Sequence, residues 1–428
     1  MNKFILFAFQ IINMGGEQQY CRNKLKVMSD FGYETNLFSC DEGTIFIDEL
    51  KNYAPNTIKE LRYPPFCFSH RKVKKIVEYI AQKIGRCSPD SIIESVNPAT
   101  AEWAELVAKR LGCKHIVFLL DEYFTISKTE YNFFWFKYLR NELMGIATQT
   151  LQMLFKKYKK LSDDESFWFD AACSNVVEDV PCNLPWYKNI EIDNHIKIGT
   201  IGRLEKGFVI PCLKETAKYI KNNNKIIFDV VLIGGSDDSK QEKNIKKIFK
   251  DVKNANLYFT GYLYPIPKDL LLLLDVCFST AGSALITGVD YDIPTISVDT
   301  FTGQPIGILN YTTKENMYAN KNNSLTISLL FDEILINKYC DSHEKLDMEK
   351  TKNDETFKLE VKRQLQFIND KKNKQDYFNT QELVPDSLKY DIYRFIGKVF
   401  GTKVLNFVHI KCFHFFKMII KGNARKTY

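Results

Sequence analysis

Ile198-Gly-Thr-Ile-Gly-Arg203-Leu-Glu-Lys206-Gly207 is an apolar run that stops at a glycine and then presents two cations three residues apart. A short strand opening into Gly202 and Gly207 lets the backbone approach a ligand closely, because neither residue carries a Cβ. Arg203 and Lys206 supply the charge that a diphosphate needs. The stretch reads as a phosphate-gripping corner, with a solvated surface loop as the plainer alternative.

The residues that follow favour the corner. Phe228-Asp-Val-Val-Leu-Ile-Gly-Gly235 predicts a buried strand ending in a double glycine, followed by a Lys-rich helix from about Asp238 to Phe249. Asn256 to Thr260 predicts a strand ending in Gly261-Tyr262, Lys268 to Leu274 a helix start, and Val276 to Ser279 a strand. Ala281-Gly-Ser-Ala-Leu-Ile-Thr287 reads as a helix entrance and Pro294 to Asp299 as one more strand. Strands that are apolar throughout, each followed by a glycine loop and a helix, imply a parallel sheet covered on both faces. Ligands of such sheets sit at the carboxyl ends of the strands, where Arg203, Gly234, Gly261 and Gly282 fall.

The order Gly-Arg-Leu…Lys-Gly, Leu-Ile-Gly-Gly, Phe-Thr-Gly-Tyr, Asp-Val-Cys-Phe-Ser…Gly-Ser-Ala and Ile-Pro-Thr-Ile resembles the donor-binding half of group 1 (family four) glycosyltransferases of GT-B architecture. The amino-terminal half agrees: Lys3 to Phe9 reads as a first strand, Asn13-Met-Gly15-Gly16-Glu as a glycine loop, and Gln18 to Phe31 as a helix closed by Gly32 before a strand at Glu34 to Phe38. The resemblance covers roughly residues 1 to 335. It implies an α/β fold of two Rossmann-like, doubly wound domains, with Gly15 and Gly16 facing the cleft. It also implies a nucleotide-diphosphate sugar donor held by Arg203, Lys206, Gly234, Gly261, Tyr262, Gly282 and Ser283, without a metal or other cofactor. The implied stereochemistry is retaining.

One departure is large. The family carries two glutamates separated by seven residues, the second of which binds the donor ribose. Counting back from Pro294, that position falls on Thr287 and the first near Ser279, and neither is acidic. A Thr hydroxyl still bonds a ribose, though more weakly than a carboxylate. Gly282 and Ser283 instead offer backbone N–H groups at a helix start, a seat for phosphate.

The chain has 428 residues, 45% of them apolar, enough for two domains with separate cores. Its net charge of +7 is mild and unevenly placed, and no nucleic-acid partner is expected. Most of the 32 Phe belong to cores. The eleven Cys form no Cys-x-x-Cys pair and have no His at ligand spacing, which predicts reduced thiols in a cytoplasmic protein and no zinc. Phe4 to Ile12 is apolar, but Gln10 interrupts it and no small-residue cleavage site follows, so a core strand is expected there rather than a secretion signal. No run approaches the eighteen or so apolar residues that span a bilayer.

Composition places a linker at Pro181 to Pro185 and predicts three segments: an acceptor-side domain (1–190), a nucleotide-sugar domain (191–340) and a third segment (341–428). Tyr131 to Tyr158 predicts one long, aromatic-rich helical stretch. Cys340 to Phe378, Lys/Glu-rich and without glycine, predicts an exposed helix. In the tail, Ile392, Ile396, Val399, Val404, Val408, Cys412, Phe415 and Ile419 keep helical spacing. Arg394, Lys398, Lys403, Lys411, Lys417, Lys421, Arg425 and Lys426 stand among them almost unopposed. Two readings remain open: a helix returning onto the amino-terminal domain, and a basic amphipathic segment in an anionic membrane surface, the second expected after Gly401.

For catalysis, Asp121 ends the apolar run Val117-Phe-Leu-Leu. It could orient or deprotonate an acceptor hydroxyl, with Glu122 as competitor, or simply cap the next helix. Asp290-Tyr-Asp292 sits in a turn and is discounted as a metal motif. His115 and His195 are read as lone structural residues. The expected activity is transfer of a sugar to a lipid-linked or oligosaccharide acceptor, in cell-surface polysaccharide synthesis. A nucleotide-sugar epimerase of GT-B architecture and a non-catalytic glycosyltransferase-like subunit are the alternatives. A nicotinamide-dependent oxidoreductase is disfavoured, since no Gly-x-Gly-x-x-Gly follows the first strand.

Overall fold

The computed structural model describes residues 2–409 except 54, 172, 193, 239, 321–323, 351–353, 371–375 and 385–387. The chain divides into two compact units, one comprising Met1–Ile12, Tyr20–Ala171 and Asp354–Tyr428, the other Asn13–Gln19 and Ala172–Asn353. Pro181 to Pro185 thus lies inside the second unit.

The first unit is built on a 6-stranded sheet whose strands run, edge to edge, Asn56–Thr57, Glu34–Ser39, Lys3–Phe7, Ile92–Ser95, Lys114–Leu119 and Leu143–Gly145. All pairings are parallel. In chain order this is 3-2-1-4-5-6, the doubly wound arrangement. The central strand reads Lys-Phe-Ile-Leu-Phe because helices cover both of its faces, and Phe4 to Phe7 are completely buried. Trp103, buried on the helix Pro98–Leu111, donates its indole N–H to the Tyr63 carbonyl at 2.7 Å. It thereby contributes roughly the 1.5–3 kcal/mol of a large buried side chain without an unpaired polar group.

Three sequence expectations are corrected here. Tyr131 to Tyr158 is not one helix: helices Lys128–Leu139 and Thr148–Phe155 flank the strand Leu143–Gly145, which pairs with Val117 to Leu119. Asn141 takes a left-handed φ of 56° between them, and a Cβ on Gly145 would stand 2.3 Å from Thr150, so the chain turns sharply at both ends of the strand.

The Lys/Glu-rich segment is helical over Asp354–Asp370 but not merely exposed. Phe357, Val361, Gln364 and Ile368 form a buried stripe, and the Lys24 ammonium bonds Gln364. In the tail, Phe400 and Gly401 separate the helix Leu388–Val399 from a second helical run at 401–409. Its buried positions are Tyr393 and Gly397, whereas Ile392 and Val399 face outward. Tyr393 and Leu405 join the core formed by Tyr63, Phe66 and Phe68. The tail residues Lys411, Cys412, Phe413, Phe415, Phe416, Lys417, Ile419, Lys421, Arg425 and Lys426 lie outside the described residues.

The second unit carries another 6-stranded sheet, ordered Ala255–Phe259, Phe228–Ile233, Ile196–Ile201, Val276–Ser279, Thr295–Val298 and Pro305–Ile308. Its first five strands are parallel and the last is antiparallel. Leucine, isoleucine, valine and phenylalanine from the strands pack on helix Val209–Asn222 through Cys212, Leu213 and Ile220.

Candidate functional site

Three neighbouring strands of the second unit end in glycine, and in each case the backbone requires it. Gly202, Gly234 and Gly261 have φ of 136°, 140° and 67°. A Cβ on Gly234 would meet the Gly202 carbonyl oxygen at 2.1 Å, and one on Gly235 would meet the Tyr262 ring at 2.5 Å. Gly202 N–H donates to Ile233 O at 3.0 Å, Leu204 N–H to Gly235 O at 2.9 Å, and Gly234 N–H to the Thr260 hydroxyl at 3.0 Å. The Tyr262 hydroxyl donates to Asp237 at 2.7 Å, which fixes the ring over Gly235. Burial and Asp237 together push the phenol pKa up, keeping it protonated.

Arg203 and Lys206 stand on this glycine floor. Arg203 is exposed, with a guanidinium nitrogen 3.7 Å from Glu205. The half-buried Lys206 ammonium lies 3.7 Å from the place where Gly202 would carry a Cβ. It has no hydrogen bond or ion pair among the described residues, and burial, then Arg203, hold its pKa below the usual lysine range. The next helix, Val209–Asn222, starts at Phe208 without a side-chain cap. The Gly207 and Phe208 amides have no acceptor among the described residues. Gly207 itself is packed on the Phe301 carbonyl, 2.5 Å from where a Cβ would be. An unpaired cation, an arginine and an uncapped helix start around bare backbone have the chemistry to receive an anion with several oxygens.

The adjacent strand completes the floor. The Ser279 hydroxyl donates to Ile201 O at 3.0 Å, joining the two strand ends. Thr280 bonds the Thr300 hydroxyl at 2.7 Å and the Asn316 carbonyl at 3.0 Å, so Ala281 enters the helix Ala281–Leu285 with a φ of 52°. Gly282 faces Ser174, 3.2 Å from its missing Cβ, and the Ser283 hydroxyl accepts from the Asn175 amide at 3.4 Å. The segment Asn13–Gln19 belongs to this same unit, where the missing Cβ of Gly16 would lie 3.3 Å from Cys173 and that of Gly15 3.1 Å from Gln18.

The structure therefore brings Arg203, Lys206, Gly234, Gly261 and Tyr262 to one group of strand ends, and Gly282, Ser283, Gly15 and Gly16 to a second group beside Cys173 to Asn175. Thr287 is the exception. It is completely buried, and its hydroxyl shares its proton between the carbonyls of Ser283 at 2.8 Å and Ala284 at 3.3 Å and lies against the Cys277 thiol, so its bonding partners are all in the interior.

In the first unit, Asp121 is exposed and accepts the Tyr123 N–H at 2.9 Å; the next helix is capped by Ser127. Asp292 is ion-paired with Lys345 at 2.6 Å. No group of three His, Cys, Asp or Glu side chains among the described residues could hold a metal. His115 and His195 are not lone residues. His115 lies between Glu105 at 2.6 Å and Ser95 at 2.9 Å, and His195 contacts Asp229 at 3.2 Å. Thr260, Asp237, Ser174 and Asn175 were not singled out in the sequence. Only Thr260 had a local signal, its place before Gly261.

No family model matches the chain, and no curated protein matches it. Solved structures do. A glycosyltransferase from Rickettsia africae is similar with a TM-score of 0.55 at 14% identity, covering 93% of this chain and 99% of its own. Anabaena HepE in complex with UDP-glucose gives a TM-score of 0.54 at 12% identity, covering 86% and 98%. At these identities the likeness is one of fold: this chain has the two-domain GT-B fold of these glycosyltransferases.

Proposed function

We propose that the protein is a glycosyltransferase that moves a sugar from a nucleotide-diphosphate donor to a lipid-linked or oligosaccharide acceptor in cell-surface polysaccharide synthesis, at the cytoplasmic face of the membrane. The observation that carries this reading is the unpaired Lys206 ammonium beside bare glycine backbone and an uncapped helix start. Anabaena HepE, which shares the fold, was solved with UDP-glucose and with UDP and glucose.

Bond cleavage in such a donor places negative charge on the departing diphosphate. Arg203 and Lys206 stabilise that charge, together with the Gly207 and Phe208 amides, which the fold holds in place before the reaction. Gly282 and Ser283 offer further amides, and Gly15 and Gly16 leave room for the sugar. Asp121 is the assigned group for the acceptor hydroxyl. The retaining outcome and independence from metal belong to the same proposal.

Calorimetric titration with nucleoside diphosphates, followed by a transfer assay in excess chelator, tests it. Binding of a nucleoside diphosphate together with chelator-resistant transfer supports it. Binding without transfer to any acceptor would leave a non-catalytic subunit, epimerised free sugar nucleotide would identify an epimerase, and absence of nucleotide binding would remove the reading altogether.

A further inference from the structure

The helix Leu388–Val399 is apolar on both sides. Its inner side is locked to the first unit: a Cβ on Gly397 would stand 2.4 Å from the Cys67 carbonyl, and Tyr393 is buried against Tyr63. On its outer side Leu388, Ile392, Phe395 and Val399 recur at intervals of four, three and four, which is one helical face, and they are 76%, 41%, 61% and 59% exposed. A helix serving only to cover a core would be polar there. Phe395 and Phe400 meet edge to face at 6.1 Å, which extends the strip as far as the break at Gly401.

Charge borders the strip. The Thr402 hydroxyl donates to Glu60 at 2.6 Å and meets the Lys72 amine, joining this segment to the helix His70–Ile84. A groove of about 890 Å³ at that junction is lined by Lys72, Lys75, Tyr79 and Lys403 and by the carboxylates Glu42 and Glu60, the former paired with Lys59. Lys72 is spoken for by Glu60. Arg71, Lys74, Lys75, Lys398 and Lys403 have no ion pair or hydrogen bond among the described residues. The sequence after His409 adds Lys411, Lys417, Lys421, Arg425 and Lys426 and no acidic residue. An outward apolar strip edged by unpaired cations, with Asp391 as the one carboxylate on that face of the helix, is complementary to anionic lipid.

We propose that the outer strip of Leu388–Val399, together with Lys75 and Lys403, is a docking face for bilayers of anionic phospholipid. It does not depend on the reading of the nucleotide site.

The test is co-sedimentation of the full chain at low salt with phosphatidylcholine vesicles, with and without phosphatidylglycerol. Binding is expected only with phosphatidylglycerol and should fade as salt rises. The double variant Lys75→Ala, Lys403→Ala should weaken it about thirtyfold, from about 1 kcal/mol per cation. Phe395→Ser with Val399→Ser should weaken it at least as much. Both pairs are exposed, so circular dichroism and nucleotide affinity should not change. A chain ending at His409 should still bind. The proposal is overturned by equal binding to neutral vesicles, by wild-type binding in both double variants, by complete loss on truncation at His409, or by a dimer that the Phe395→Ser, Val399→Ser chain no longer forms.

Discussion

A Cβ on Gly234 would stand 2.1 Å from the carbonyl oxygen of Gly202, so two adjacent strands of the second unit end in direct backbone contact. No flexible side chain is available to move aside. Gly234→Ala combines that clash with a φ of 140°, a region open to glycine alone. It should cost more than about 2 kcal/mol of stability and reduce nucleotide binding with it. Gly261→Ala has open space and only its φ of 67° to bear, for about 1 kcal/mol. Denaturant unfolding of the two variants checks the order; equal midpoints would mean that the strand ends relax freely.

Lys206→Ala should leave stability within about 0.5 kcal/mol of wild type or raise it, because the ammonium has no protein partner to lose. Nucleoside diphosphate affinity should fall by about 1.5–3 kcal/mol, the usual worth of a hydrogen bond to a charged group. A pH dependence accompanies this. Burial and Arg203 lower the Lys206 pKa, while a bound diphosphate favours the cation, so affinity should decline as pH rises through the lowered pKa, below the ordinary 10.5. In the same window the unfolded chain holds the proton that the folded chain has released, so this lysine makes stability increase with pH. Calorimetry and unfolding at several pH values should show both slopes in the wild type and neither in Lys206→Ala.

The glycine-ended strands were legible because their cause is local. Ile198 to Gly202 and Phe228 to Gly235 each state an apolar strand and a tight turn within eight residues or fewer, and the structure adds only which backbone atoms touch. The helix break at Asn141 was hidden because Leu143 and Met144 are apolar in either a helix or a strand. Only pairing with Val117 to Leu119, far away in sequence, decides between them. The partners of His115 were invisible for the same reason: Glu105 comes from the helix Pro98–Leu111, and Lys137, which donates to the His115 carbonyl at 2.7 Å, from the helix Lys128–Leu139. Counting from Pro294 predicts a ribose-facing residue at Thr287, but the direction of its side chain is a tertiary fact, and the side chain is buried. The chain is a π-helix over Ile286–Asp290, which alters the side-chain register that an α-helical count assumes.

His115 should make the first unit acid-sensitive. Burial, then Lys137, lower its pKa from 6.5 to about 4, so the folded imidazole stays neutral while the unfolded one takes a proton. Stability should therefore fall as pH drops from about 6.5 towards 4, with a slope near 1.4 kcal/mol per unit. Glu105, held at about 2, adds its own loss below its unfolded value of 4.5. His115→Gln should cost stability at pH 7, yet remove the slope above pH 4.5. An unchanged slope in that variant would assign the acid sensitivity elsewhere.

Thr287 separates a ribose contact from a packing role. A glutamate there would replace a hydroxyl bonded to Ser283 O by a carboxyl group in a site with no exposure, and among the described residues no cation bonds that position. Thr287→Glu should therefore destabilise by at least about 3 kcal/mol at neutral pH. The penalty should shrink on acidification: burial raises the folded pKa of the new group, so the folded state keeps a proton that the unfolded state loses above about 4.3. Thr287→Val, which keeps the shape and drops the hydroxyl, should cost only about 0.5–1.5 kcal/mol and leave nucleotide preference untouched. Melting curves and nucleotide titrations of both variants decide the matter. A Thr287→Glu protein that melts like the wild type and binds nucleoside diphosphate more tightly would show that position 287 reaches the ribose after all. It would then be the vacant glutamate position, and the buried geometry would not be that of the donor-bound state.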